Sequence, residues 1–269
     1  LNLIDSWDSV QQYYPHSEAA IIVSGGSSID FDKLKELQAE TNGKIICVKH
    51  SYPKLLEAGI KPWGCVILDP RTIEGESTHG IVRKSLFETI DPSTKFFIAS
   101  MTEPSVTKYI LERTSNVYGW HAYSEAIKNR VNNKEDYPEE EQIQISDDVT
   151  FVTGGTCAAM RAIGMLHIFG FRNFHLFGFD CSVPEVSEEE QKETLFDGKT
   201  KYMKVEINEK EFWTTGELLA MAQDCEQLFD APQIDMGVEF YTKHDTLANQ
   251  VYLTSRHGNK TYYDTTFNS

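Results

Sequence analysis

Positive charge is scarce in this sequence: 25 Lys and Arg stand against 41 Asp and Glu, a formal net charge of −16. A surface of that average sign repels nucleic acid and anionic membranes, so neither is expected as the main partner, although a local basic pocket can still hold an anion. Long apolar runs are missing as well. Nothing approaches the ~18 consecutive apolar residues of a membrane-crossing helix, and the amino end lacks a secretory signal pattern. A cytoplasmic location is the expectation. The chain starts at Leu1 rather than Met, which reads as a piece of something longer. Cys47, Cys65, Cys157, Cys181 and Cys225 are scattered and form neither a C-x-x-C pair nor a zinc spacing. They read as reduced, buried thiols, and no metal site is assigned. The Walker pattern and G-x-G-x-x-G are both absent, which argues against a P-loop kinase and an ordinary NAD enzyme.

What is present describes a globular α/β protein. A hydrophobic content of 40% over 269 residues excludes global disorder and suffices for a large core. The organising stretch is Val149 to Ser182. Val149 to Val152 are apolar and β-branched, Gly154-Gly155 break the run, and Thr156 stands where a helix N-cap belongs. Apolar residues then recur at helical spacing from Ala158 to Phe169, Gly170 stops the helix, and Phe174 to Phe177 form a second strand ending at Gly178-Phe179-Asp180. This β-α-β unit places Asp180 on the carboxyl edge of a sheet, where ligands of open α/β folds lie.

The amino-terminal half repeats the theme. Ile4 to Tyr14 read as a short amphipathic helix and Ala19 to Val23 as a strand. That strand empties into Ser24-Gly25-Gly26-Ser27-Ser28, and Phe31 to Glu40 resume helical spacing. Such a turn either presents N–H groups and hydroxyls to a phosphate or merely caps its helix. Asp30 and Asp32 spell D-x-D, which reads more simply as carboxylates in a helix's first turn than as a metal motif. Lys44 to Val48 and Trp63 to Leu68 are further strands. The first exits through Lys49-His50 and the second through Asp69-Pro70-Arg71, where Asp69 suits a ribose or base and Lys49 or Arg71 a phosphate. An Asp-Pro turn with solvated neighbours is the bland alternative.

Lys95 to Ser100 give a strand and Ser105 to Thr114 a helix. Tyr118 to Tyr123 form an aromatic cluster around His121, and Glu135 to Asp148 an acidic loop. Val183 to Thr200 lack apolar rhythm and suit a lid. Lys201 to Ile207 read as a strand, Glu217 to Phe229 as a helix and Gln233 to Val238 as a strand. Val251 to Ser255 and Lys260 to Tyr263 read as a hairpin. Trp213, Thr214 and Thr215 suit either a ring-binding acceptor side or a staple and cap for the following helix.

The segments I-I-V-S-G-G-S-S-I-D, C-V-K-H-S-Y-P-K-L-L-E-A-G-I-K-P-W-G-C-V-I-L-D-P-R and F-V-T-G-G-T-C-A-A-M-R through F-G-F-D resemble a known family. It is shared by the motility accessory factors that glycosylate flagellin and by the archaeal 6-hydroxymethylpterin diphosphokinase, and it is similar to bacterial sialyltransferases that use CMP-sialic acid. The resemblance covers roughly the first two-thirds of the chain, with a weaker echo at F-W-T-T-G-E-L. It implies a Rossmann-like, mostly parallel sheet with helices on both faces, sialyltransferase-like. We read this as a single nucleotide-binding domain over residues 1–269 with a C-terminal extension from about 201.

By position, the resemblance implies that Gly25, Gly26, Ser27, Ser28, Asp69, Thr153, Gly154, Gly155 and Thr156 contact a nucleotide. Lys49 joins them through its place at a strand exit. Sialyltransferases of this type carry a basic histidine after the strand that ends at Asp180, yet no histidine lies between Asp180 and Trp213. The catalytic base is therefore unassigned, with Asp180 and His121 as the candidates. The expected reaction is sugar transfer from a nucleotide donor such as a CMP-sugar to a hydroxyl acceptor, with no tightly bound cofactor. The alternatives are an ATP-dependent diphosphokinase acting on a pterin-like alcohol, with Mg²⁺ on Asp69 and Asp180, and a binding module without chemistry.

Overall fold

The computed structural model describes residues 14–74, 80–124, 151–231 and 235–258. Strands β1 (His16–Val23), β2 (Lys44–Val48), β3 (Gly64–Ile67), β4 (Lys95–Ala99), β5 (Val117–Ala122), β6 (Phe151–Val152), β7 (Phe171–Phe177) and β10 (Gly237–Tyr241) form one sheet. Its order is β10-β7-β1-β2-β3-β4-β5-β6, and every pairing in it is parallel. A parallel sheet needs cover on both faces, which is why Ala19 to Val23 read as an unbroken apolar run rather than an alternation. Ala20 and Ile22 pack on one side with α4 (Ala158–Ile168), α5 (Gly216–Asp230) and α6 (Leu247–Thr254). Ile21 and Val23 pack on the other with α1 (Phe31–Thr41), α2 (Tyr52–Glu57) and α3 (Pro104–Leu111). The expected α/β architecture with helices on both faces is the one observed.

The chain steps outward from β1 to β6, then returns to lay β7 on the opposite side of β1. The β1/β7 junction is thus the topological switch point, whose carboxyl end opens into a crevice in folds of this kind. The exits of β1, through Gly25 and Gly26, and of β7, through Gly178, lie there.

Several segments differ from expectation. Val251 to Ser255 are not a hairpin arm: Val251 to Thr254 close α6, whose N-cap Thr246 accepts from the Asn249 amide at 3.3 Å. Leu247, Ala248 and Val251 are buried at helical spacing, and that packing overrides the β-preference of Val251 and Thr254. The strand expected from Gln233 begins, among the described residues, at Gly237, with Gln233 itself outside them. The aromatic stretch around His121 is a strand, β5. Lys210–Thr214 form β9, antiparallel to β8 (Met203–Ile207). Asp30 is the N-cap of α1, accepting from Asp32 and Lys33 amides at 3.2 and 3.1 Å, so the D-x-D serves the helix start. The helix expected before Tyr14, the acidic run from Glu135 and the Lys260–Tyr263 arm lie outside the described residues.

Phe174 is fully buried between β7's neighbours and α4. Phe174→Ala is expected to cost about 3–5 kcal/mol by urea unfolding; a loss under about 1 kcal/mol would remove it from the core.

Candidate nucleotide-binding crevice

At the switch point the two exits are stitched together. The Ser24 amide donates to Phe177 O at 2.8 Å and the Gly26 amide to Gly178 O at 2.9 Å. Asp180, only 4% exposed, needs donors because a buried carboxylate without them is costly. It receives the Ser27 amide at 2.7 Å, the Ser28 amide at 3.0 Å and the Ser27 hydroxyl at 3.2 Å, with the Ser28 hydroxyl bonded to its other oxygen. Glycine is required at position 26, because a Cβ there would lie 2.4 Å from Asp180 Cγ. The amides of Ser27 and Ser28, expected to face a phosphate, are therefore engaged by a carboxylate of the chain itself.

The second bend is held in the same way. Gly154 and Gly155 have φ of +124° and +77°, values that disfavour a side chain. The Thr156 amide and hydroxyl donate to Asp224 Oδ2 at 2.8 and 2.7 Å, and a Cβ on Gly155 would sit 2.6 Å from that carboxyl carbon. Thr156 is thus clamped to α5 and does not cap α4. Cys157 occupies the N-cap position and makes no capping hydrogen bond, and burial pushes its thiol up to about 11. The first amides of α4 consequently lack a side-chain cap where Thr156 to Met160 form a wall of the crevice.

The crevice also carries a basic rim. Ser51 Oγ donates to Val23 O at 2.8 Å, fixing the β2 exit against β1 and setting Lys49 and His50 at the edge. Asp69 is buried and gathers two cations. Arg71 grips it as a fork, Nε to Oδ1 at 2.9 Å and Nη2 to Oδ2 at 2.8 Å, with the Arg71 amide on Oδ1 at 3.0 Å. Lys49 Nζ makes an ion pair with Oδ2. Two cations on one carboxylate leave a surplus positive charge. Burial, then the Arg71 charge, hold the Lys49 ammonium down to about 8. Although His50 is exposed by area, its ring is crowded at the rim. Loss of solvation there, then the charges of Lys49, Arg71, Lys54 and Arg83, push it down to about 4.

These parts enclose a crevice of about 850 Å³. Gly25, Gly26, Ser27, Lys49, Asp69, Thr156 and Asp180 line it, so the first bend reaches the cavity and the second is represented there only by Thr156. Arg71 and His50 complete the rim, and Met160, Leu218 and Met221 give an apolar wall beside the carboxylate of Glu217. Ser28 is fully buried behind the first turn. Thr153, Gly154 and Gly155 shape the second turn without being among the lining residues.

Trp213, Thr214 and Thr215 are not on its wall either. The Lys204 ammonium lies over the Trp213 ring on the β8–β9 hairpin, Thr214 donates to Cys181 O at 2.9 Å, and Thr215 caps α5 through the Leu218 amide at 3.3 Å. Their staple-and-cap alternative describes Thr215 well. His121 belongs to a separate cleft. Asp224, which secures the second bend, gave no sequence signal because its partner lies 68 residues away.

Asp69 and Asp180 do not fit Mg²⁺. A metal on Asp69 would have to displace Lys49 and Arg71, and one on Asp180 would strip the donors of Ser27 and Ser28. Among the described residues no group of three or more His, Cys, Asp or Glu side chains is placed to hold a metal.

His50 binds its proton less readily in the folded chain, at about 4, than at its ordinary 6.5. The unfolded state therefore takes up the extra proton, and stability falls as pH drops through that window. His50→Asn should flatten the unfolding free energy between pH 6.5 and 4; an unchanged slope would show that His50 does not contribute.

No curated protein matches the chain. Among solved structures it is similar to the MAf glycosyltransferase from Magnetospirillum magneticum AMB-1, with 13% identity and a TM-score of 0.49. The alignment covers 94% of this chain and 40% of that one. The family model described as 6-hydroxymethylpterin diphosphokinase MptE-like matches residues 2–186, and the chain belongs to that family.

Proposed function

We propose that the crevice binds a nucleotide-activated sugar and that the chain transfers the sugar to a hydroxyl acceptor. One arrangement supports it: Lys49 and Arg71, with their surplus positive charge, and the first residues of α4, whose N-cap makes no side-chain capping hydrogen bond, line the same cavity at the switch point. A phosphate between them would meet fixed cations on one side and helix amides on the other. Such groups stabilise the charge that grows on a departing nucleotide phosphate and need no rearrangement as the bond breaks. The apolar wall of Met160, Leu218 and Met221 suits a flat base or a sugar face. A CMP-sugar, with a sialic-acid-like group among the candidates, is the donor class we favour.

Family membership supports a second reading, diphosphate transfer from ATP to a pterin-like alcohol. That chemistry draws on carboxylate-held Mg²⁺, and the engagement of Asp69 and Asp180 by protein donors weighs against it. Incubation with CMP-sugars and hydroxyl acceptors, or with ATP, Mg²⁺ and a pterin alcohol, separates the cases. CMP release supports the first reading and AMP release the second. Binding without turnover would leave a binding module.

The cations of the rim fix two measurable outcomes. Arg71→Ala should weaken CMP binding by at least about tenfold, ~1.4 kcal/mol, in calorimetry; unchanged affinity would take the phosphate away from this rim. Wild-type affinity should also fall as pH rises beyond about 8, where the Lys49 ammonium loses its proton, and a flat profile to pH 9.5 would remove Lys49 from the contact.

A further inference from the structure

A sugar transfer of this kind needs a proton acceptor for the incoming hydroxyl. Asp180 is spent, since its carboxylate is filled by the donors of Ser27 and Ser28. A second cleft, of about 540 Å³, runs along α3 where it packs beside the ends of β4 and β5. Ser100, Thr107, Lys108, Leu111 and His121 are among the residues lining it. His121 Nδ1 lies 3.0 Å from Ser100 Oγ. Both residues are pinned by the sheet: the Ser100 amide donates to Trp120 O at 2.8 Å, and His121 pairs with Phe151 across β5 and β6. If Nδ1 carries the proton and donates it to Ser100 Oγ, Nε2 keeps a lone pair, the form required of a base.

The loops that border the two cavities are joined. The loop after β3 that carries Asp69 and Arg71 accepts the Glu103 amide at 3.0 Å from the loop after β4. From the end of β3 to the end of β5 is two strand spacings, roughly 10 Å. A sugar whose phosphate rests on the basic rim would extend along the edge toward the second cleft.

We propose that this second cleft receives the acceptor and that His121 is the catalytic base for its hydroxyl, with Ser100 as the positioning residue that fixes the tautomer. The assignment rests on the reading of the first crevice as the donor site. In the transfer, the acceptor oxygen bonds to the anomeric carbon and its proton passes to His121 Nε2. The bond from that carbon to the nucleotide's phosphate oxygen breaks, its electron pair leaving with the phosphate. His121 then releases the proton to water. Burial lowers the His121 pKa below its ordinary 6.5, keeping the ring neutral at pH 7. Lys108 and Glu112 of α3 are the charged groups facing the cleft, while β4 contributes Ser100 and β6 contributes Phe151.

The test uses CMP-sialic acid and a UDP-hexose as donors, with water or lactose as acceptor. His121→Gln should lower kcat by about 100-fold or more while leaving the donor KM and Kd unchanged, and it should abolish the acidic limb of the kcat–pH profile. Ser100→Ala should lower kcat by about tenfold. In ¹⁵N NMR of the histidine side chains it should shift His121 away from the Nδ1–H tautomer, a change that a purely structural role would not produce. Wild-type turnover retained in His121→Gln overturns the assignment and leaves the donor site standing. Binding of donors without turnover overturns it as well. Absence of both binding and turnover removes the donor reading and this inference together. An Nε2–H tautomer in the wild type, or one indifferent to Ser100→Ala, overturns it independently of any substrate.

Discussion

A carboxylate enclosed at the end of an apolar sheet must find donors, and in this chain that requirement shapes the whole switch point. Asp180 takes the amides and hydroxyls of Ser27 and Ser28, and Asp224 takes those of Thr156. Each carboxylate draws a glycine-bearing turn onto the neighbouring element, and each turn tolerates the approach only because the glycine has no side chain. The carboxylates at the floor of the crevice are thus satisfied by hydrogen bonds from the chain itself.

The positive side of the crevice follows from the same rule applied to Asp69. One buried carboxylate holds Arg71 in a bidentate fork and Lys49 in an ion pair, so both cations are fixed while their sum exceeds its charge. On a chain of net charge −16 such a surplus is local, concentrating positive potential in one place rather than spreading it over the surface. His50 adds no charge at neutral pH, because desolvation and its cationic neighbours hold it neutral.

The fold was largely legible in the residues, because apolar period and glycine punctuation report what both faces of a sheet must bury. Lys44–Val48 is bounded as the run of apolar residues suggested, and the β-α-β unit around Ala158–Ile168 stands as read. Reading failed where tertiary packing overrode local preference. Val251 belongs to a helix because Leu247, Ala248 and Val251 share one buried stripe, and Gly119 and His121 concealed a strand that pairs with β4. At the site, two glycine turns at strand ends were readable; the first lines the cavity with Gly25 and Gly26, while the second reaches it only through Thr156. What occupies their amides was not readable. A carboxylate 153 residues away leaves no mark on the local pattern of Ser27, and Ser100 became visible beside His121 only once β4 and β5 lay side by side.

The placement of β7 against β1 also sets an order in time. Ala20 pairs with Phe174 across more than half the chain, a separation whose closure costs entropy before any contact rewards it and which slows folding in parallel sheets. On a growing polypeptide, the first glycine turn emerges long before the carboxylate that will hold it, leaving its amides to water meanwhile. The crevice is thus completed late, when the seventh strand docks beside the first and brings Asp180 to Ser27 and Ser28.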